Sequence, residues 1–126
     1  MKRRVRISEA EWEVMQIIWS LPGCTAQEVI GALKGKTNWS AATVKTLLNR
    51  LMKKGALSFR KDGRLYHYWP EISEADCRQA EADNFLQRFF GGALTPMLVH
   101  FVKAQKLSKT EYDELFRLLK NESKKE

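Results

Sequence analysis

The period of the apolar residues changes once, at Gly55, and that change limits the fold more than any other feature of the chain. Up to Leu51 the apolar residues recur at helical spacing in three blocks. Beyond Gly55, Leu57 and Phe59 lead through Lys61-Asp62-Gly63-Arg64 into Leu65-Tyr66-His67-Tyr68-Trp69 and then Pro70. Asp-Gly between β-prone runs signals a tight hairpin, here expected as a type I′ turn with both central residues at positive φ.

Each helical block opens with its own start signal. Ser8 and Glu11 form a capping box ahead of Ala10, Val14, Ile17, Ile18 and Leu21, a stripe widened by Trp12, Met15 and Trp19 and ended by Pro22-Gly23. Thr25 and Glu28 repeat the box before a short helix through Val29, Ile30 and Leu33. Ser40 opens a third, with a narrow stripe of Val44, Leu47, Leu48 and Leu51, and Gly55 stops it after the cations Lys53-Lys54. Three short helices and a basic-tipped hairpin are the order of a winged helix-turn-helix, whose third helix fits the DNA major groove. Pro70-Glu71 marks a boundary.

The remainder reads as helical. Ser73 starts a helix with the stripe Ala82, Phe85, Leu86, Phe89 and Phe90, ended by Gly91-Gly92. Thr95-Pro96 fits an N-cap and first-turn proline, and Ser108 with Glu111 forms another capping box. Three short amphipathic helices offer each other too little surface to bury so many large side chains. This part is therefore expected to dimerise, through Phe85, Phe89, Met97, Leu98, Phe101, Leu115 and Leu119. The expected fold class is mainly α with a small β-wing: a winged helix-turn-helix over residues 1–70 and a three-helix dimerisation region over residues 71–126.

Charge is unevenly spread. Residues 1–70 hold 13 Lys or Arg against 5 Asp or Glu, a net of +8, whereas residues 71–126 hold 9 against 10, a net of −1. Attraction to a polyanion belongs to the first part. Opposite the apolar stripe of the third helix stand Ala42, Thr46, Asn49 and Lys53, flanked by Ser40, Thr43, Lys45 and Arg50. Small residues allow close approach, Thr and Asn bond base edges or phosphates, and Lys and Arg neutralise phosphates or read guanine. A merely solvated face is the plainer reading of the same residues. Arg60, Lys61 and Arg64 surround the hairpin tip, as phosphate contacts or as charges protecting an edge hairpin. Lys2, Arg3, Arg4 and Arg6 form a basic arm.

Other chemistries lack support. No glycine-rich phosphate loop, H-E-x-x-H, G-x-S-x-G or plausible carboxylate pair is present, so neither enzyme activity nor a cofactor is expected. Cys24 and Cys77 form no metal-type cluster, and His67 and His100 read as structural. The four tryptophans, Trp12, Trp19, Trp39 and Trp69, read as core or interface residues. No run of apolar residues is long enough to span a membrane, and Met1-Lys2-Arg3-Arg4 does not open a signal peptide, so a cytoplasmic location is expected.

Ile7-Ser8-Glu9-Ala10-Glu11-Trp12-Glu13-Val14-Met15 with Ile17-Ile18-Trp19 resembles the first helix of the BlaI/MecI/CopY family of penicillinase and copper-responsive repressors. Trp39-Ser40, Thr43 through Leu51 and Lys53-Lys54-Gly55 resemble its recognition helix, and the similarity continues through Phe89-Phe90-Gly91-Gly92, Leu98 through Val102 and Leu107-Ser108. The resemblance implies a homodimer on double-stranded operator DNA upstream of resistance genes. In the β-lactam branch it implies release by a sensor-linked protease that cuts an Asn-Phe bond in the dimerisation region. The matching bond here is His100-Phe101, with Phe kept and His in place of Asn. The copper branch carries a C-terminal C-x-C-x4-C-x-C cluster, whereas this sequence has no cysteine after Cys77. A metal-responsive repressor with a variant site, a nonspecific nucleic-acid packaging protein and a helical protein-binding adaptor stay open as alternatives.

Overall fold

The structure is a computed structural model that describes residues 5–124. Among them run α1 (Glu9–Ser20), β1 (Cys24–Thr25), α2 (Ala26–Leu33), α3 (Ala41–Lys53), β2 (Leu57–Asp62), β3 (Leu65–Pro70), α4 (Glu74–Phe90), α5 (Leu94–Lys103) and α6 (Lys109–Ser123). The fold class is as expected, six helices with one small antiparallel sheet of order β1-β3-β2. One compact unit ends at Ala82 and a second begins at Asp83.

Local chemistry sets the helix starts. Ser8, Thr25 and Ser108 each accept from the backbone N–H of the third helical residue, and the glutamate there returns a bond to the cap's own N–H. Ser40 caps α3 by accepting from Thr43 N–H at 3.2 Å, and Ser73 accepts from Asp76 N–H at 3.0 Å. Each such cap contributes about 1 kcal/mol. At the end of α3, Gly55 N–H donates to Met52 O at 3.0 Å and Ala56 N–H to Leu51 O at 2.9 Å, a Schellman turn that closes the helix and aims the chain into β2.

The core of the first unit is built from the helical stripes. Val14, Met15 and Ile18 of α1, Val29 and Leu33 of α2 and Val44, Leu47, Leu48 and Leu51 of α3 meet Leu57, Tyr68 and Cys77 in one buried cluster. Full burial of each large aliphatic side chain contributes about 1.5–3 kcal/mol, so the stripes hold the three helices in place. Trp12, Trp19, Ile72 and Trp39 pack against the rim, and Trp19 Nε1 donates to Ile72 O at 2.9 Å. The start of α4 is thereby fastened to α1.

Three local features differ from expectation. The hairpin loop is Gly63-Arg64, because Asp62 pairs with Leu65. Positive φ occurs there only at Gly63, at 64°. That is the type II′ pattern with glycine first, not type I′; the ladder takes Asp62 into β2 and so moves the turn by one residue. Cys24-Thr25 adds an unforeseen two-residue strand, pairing with Tyr68 and His67. Finally α5 is capped by Ala93 rather than Thr95, without a side-chain bond; Leu94 and Thr95 occupy its first turn, where Pro96 loses no helical hydrogen bond.

In the second unit none of the described side chains is buried. Rings cluster along its apolar faces: Phe85 lies 5.1 Å from Phe89 and 6.1 Å from Phe90, and His100 lies 5.9 Å from Phe90 and 5.2 Å from Phe101. Met97, Leu98, Phe101 and Leu115 are half-buried, and Phe85, Phe89 and Leu119 are exposed. The bond between His100 and Phe101 lies inside α5.

Candidate nucleic-acid interface

The apolar stripe of α3 faces the core, and this orientation turns its other residues outward. Val44, Leu47, Leu48 and Leu51 are buried, whereas Ser40, Ala42, Thr43, Lys45, Thr46, Asn49, Arg50 and Lys53 are all exposed. Three of the exposed residues, Ser40, Thr43 and Thr46, have local side-chain partners. Thr46 Oγ1 donates to Ala42 O at 3.0 Å, and the hydroxyls of Thr43 and Ser40 lie 3.1 Å apart. The long polar side chains Lys45, Asn49, Arg50 and Lys53 extend from the outer face.

The wing stands beside this helix. An open depression of about 490 Å³ is lined by Lys45 of α3, by Lys61, Arg64 and Tyr66 of the hairpin, and by Thr25 and Gln27 at the start of α2. Three cations thus share one concave surface with a helix N-terminus, an arrangement that favours anions such as phosphate. Arg60 is placed differently. Adjacent strand residues point to opposite sides, and the Arg60 guanidinium lies 5.4 Å from the centre of the Trp69 ring, away from the depression. Thr25, read from the sequence as a helix cap, joins Gln27 and Tyr66 in the lining, and none of the three is marked by the sequence as a DNA-binding residue. The cap at Thr25 was the available signal, since it marks a helix N-terminus, where first-turn N–H groups lack intrahelical partners.

Three contacts fix the wing. Phe59 stacks on Tyr66 with centroids 4.6 Å apart, Gly23 N–H donates to Tyr68 O at 2.8 Å, and His67 Nδ1 lies 2.8 Å from Gly23 O. The hairpin is held by the turn after α1 as well as by its own ladder. Arg6 of the basic arm is exposed, while Lys2, Arg3 and Arg4 lie outside the described residues. No group of three or more His, Cys, Asp or Glu able to hold a metal occurs among the described residues, and no described helix is long and apolar enough to cross a membrane.

The profile of the family described as penicillinase repressor matches residues 7–121. The chain belongs to this family. It is a family of transcriptional repressors and not of enzymes. The penicillinase repressor of Bacillus licheniformis is 41% identical over 119 residues, covering 94% of this chain and 93% of its own. The methicillin resistance regulatory protein MecI of Staphylococcus aureus is 34% identical over 113 residues, covering 90% and 92%. Among solved structures, the monomeric form of Bacillus licheniformis BlaI in complex with the blaP half-operator is 46% identical, with a TM-score of 0.53 over 60% of this chain and 93% of that one. This family member therefore shares its winged-helix part with a domain whose solved complex contains half-operator DNA.

Proposed function

We propose that this penicillinase-repressor family member represses a resistance operon by binding its operator as a homodimer, one winged helix per half-site. In this reading α3 enters the major groove. Ser40, Ala42 and Thr43 allow close approach at its N-terminal turn, Lys45, Thr46, Asn49 and Arg50 reach base edges and phosphates, and Lys53, Lys61 and Arg64 neutralise the backbone. Arg60 reaches the backbone from the outer side of the wing. The observation that carries the reading is the shared surface of Lys45, Lys61 and Arg64 beside the outward face of α3. No cofactor is needed.

Dimerisation is assigned to the second unit, through Phe85, Phe89, Met97, Leu98, Phe101, Leu115 and Leu119. Support comes from its lack of any buried described side chain: a second copy supplies the missing burial. Two linked half-site contacts raise operator affinity far above that of one, so loss of the dimer releases the DNA. Proteolysis by a sensor-linked protease is one such route, with His100-Phe101 as the bond in question; its place inside α5 requires that the helix open first.

Fluorescence anisotropy with DNA from just upstream of the protein's own gene, against scrambled DNA, tests the proposal. A preference of about a thousandfold or more is expected. Equal binding contradicts operator recognition there and favours nonspecific packaging.

A further inference from the structure

Lys54 was legible in the sequence only as a cation near a helix end, yet the structure gives it an internal task. It is the C-cap residue of α3. Its Nζ donates to Glu11 Oε1 at 2.5 Å and to the backbone carbonyl of Arg6 at 2.8 Å. Glu11 is only 1% exposed, and the same Oε1 also accepts from Ser8 N–H at 2.8 Å in the α1 capping box. Its other oxygen, Oε2, is buried without a hydrogen-bond partner among the described residues, so Lys54 is the cation that balances this carboxylate.

The segment that receives Lys54 is held from its other side too. Ile7 N–H donates to Glu81 Oε1 of α4 at 3.0 Å, and Arg6 Nε lies 3.9 Å from the same oxygen. Residues 6–8 thus join α1, the end of α3 and α4. The Schellman turn that follows Lys54 leads directly into β2, so one ammonium fixes the point where the recognition helix passes into the wing.

We propose that Lys54 is a positioning residue for DNA recognition: clamped by Glu11 and the Arg6 carbonyl, it sets the pose of α3 and the wing and does not contact phosphate. The inference rests on the DNA-binding reading above. It separates Lys54 from its neighbour Lys53, whose charge is free to meet the backbone.

The test compares the full-length chain with Lys54→Gln, Lys54→Arg, Glu11→Gln and the charge-free pair Glu11→Leu with Lys54→Met. Operator and scrambled-DNA affinities are measured across a salt series. Each phosphate contact adds about 0.9 to the slope of log affinity against log salt. Expected for Lys54→Gln is a loss of operator affinity of about tenfold or more with the salt slope unchanged and scrambled-DNA binding retained. Lys54→Arg should recover most of the loss, and Glu11→Gln should reproduce it. A slope shallower by about 0.9, with equal losses on both DNAs, would make Lys54 a phosphate contact and overturn the proposal, as would unchanged operator affinity.

If Lys54→Gln does not fold, the charge-free pair takes its place in the same comparison, with the same outcomes. If the unsubstituted chain shows no operator preference, the DNA reading fails on its own account. The clamp is then read by amide hydrogen exchange at Gly55 and Ala56: faster exchange in Lys54→Gln, or in the charge-free pair where that variant does not fold, with Lys54→Arg close to the unsubstituted chain, supports it, and unchanged protection overturns it.

Discussion

Trp69 lies over Gly23 so closely that a β-carbon at position 23 would stand 2.8 Å from the indole Cζ2. Gly23 also adopts φ 85°, a conformation that costs a residue with a β-carbon. Steric overlap and backbone strain act together at the joint where the turn after α1 holds the wing.

Gly23→Ala should therefore destabilise the first unit by about 2–4 kcal/mol. Urea unfolding followed by tryptophan fluorescence measures it. A loss below about 0.5 kcal/mol would mean that Trp69 moves aside freely and the wing is not fixed from this side.

Glu11 makes stability depend on pH in a defined direction. Burial alone would raise its pKa, but the hydrogen bonds from Lys54 and Ser8 outweigh that and hold it below the ordinary glutamate range. A carboxyl depressed in the folded state stabilises fully above its unfolded value, about 4.3, and its contribution disappears as pH falls through the lower folded value. Unfolding free energies between neutral pH and pH 3 should fall more steeply for the unsubstituted chain than for Glu11→Gln. Parallel curves would show that Glu11 does not carry this linkage.

The two thiols should be inert while the protein is folded. Burial pushes Cys77 up to about 11, with nearby Glu81 adding to the effect, and burial followed by Glu28 raises Cys24. Thiolate is the reactive form, so labelling with an aromatic disulfide reagent at neutral pH should proceed only at the rate of unfolding and finish at once in denaturant. Rapid labelling of the native chain would contradict the burial of Cys24 and Cys77.

Removal of residues 101–126 deletes α6 and the end of α5, and with them Phe101, Leu115 and Leu119. The shortened chain should be monomeric by sedimentation, and its operator affinity should fall by about 10²–10⁴. Tight operator binding by a truncated monomer would contradict the assignment of dimerisation to this part.

Much of the fold was legible because the deciding signals are local. Ser8 with Glu11, Thr25 with Glu28 and Ser108 with Glu111 close bonds within three residues, so the sequence displays each helix start directly. The outer face of α3 was equally readable, since four buried apolar residues at helical spacing determine which side faces out. What escaped depends on the chain folding back. Cys24-Thr25 is too short to alternate and becomes a strand only because Tyr68 and His67 arrive beside it. The turn at Gly63 is set by pairing across the ladder, and the partnership of Glu11 with Lys54 spans 43 positions, where spacing carries no information. Tyr66 and Gln27 joined the depression for the same reason, their proximity being tertiary.

Hydroxyl-radical footprinting of the upstream DNA shows whether α3 and the wing read a two-fold operator. The expected result is a pair of protected half-sites on one face of the duplex, their centres separated by about a multiple of 10 base pairs, and loss of both footprints when Asn49 and Arg50 are replaced by alanine. Uniform protection without half-sites, or footprints that survive those replacements, would contradict it.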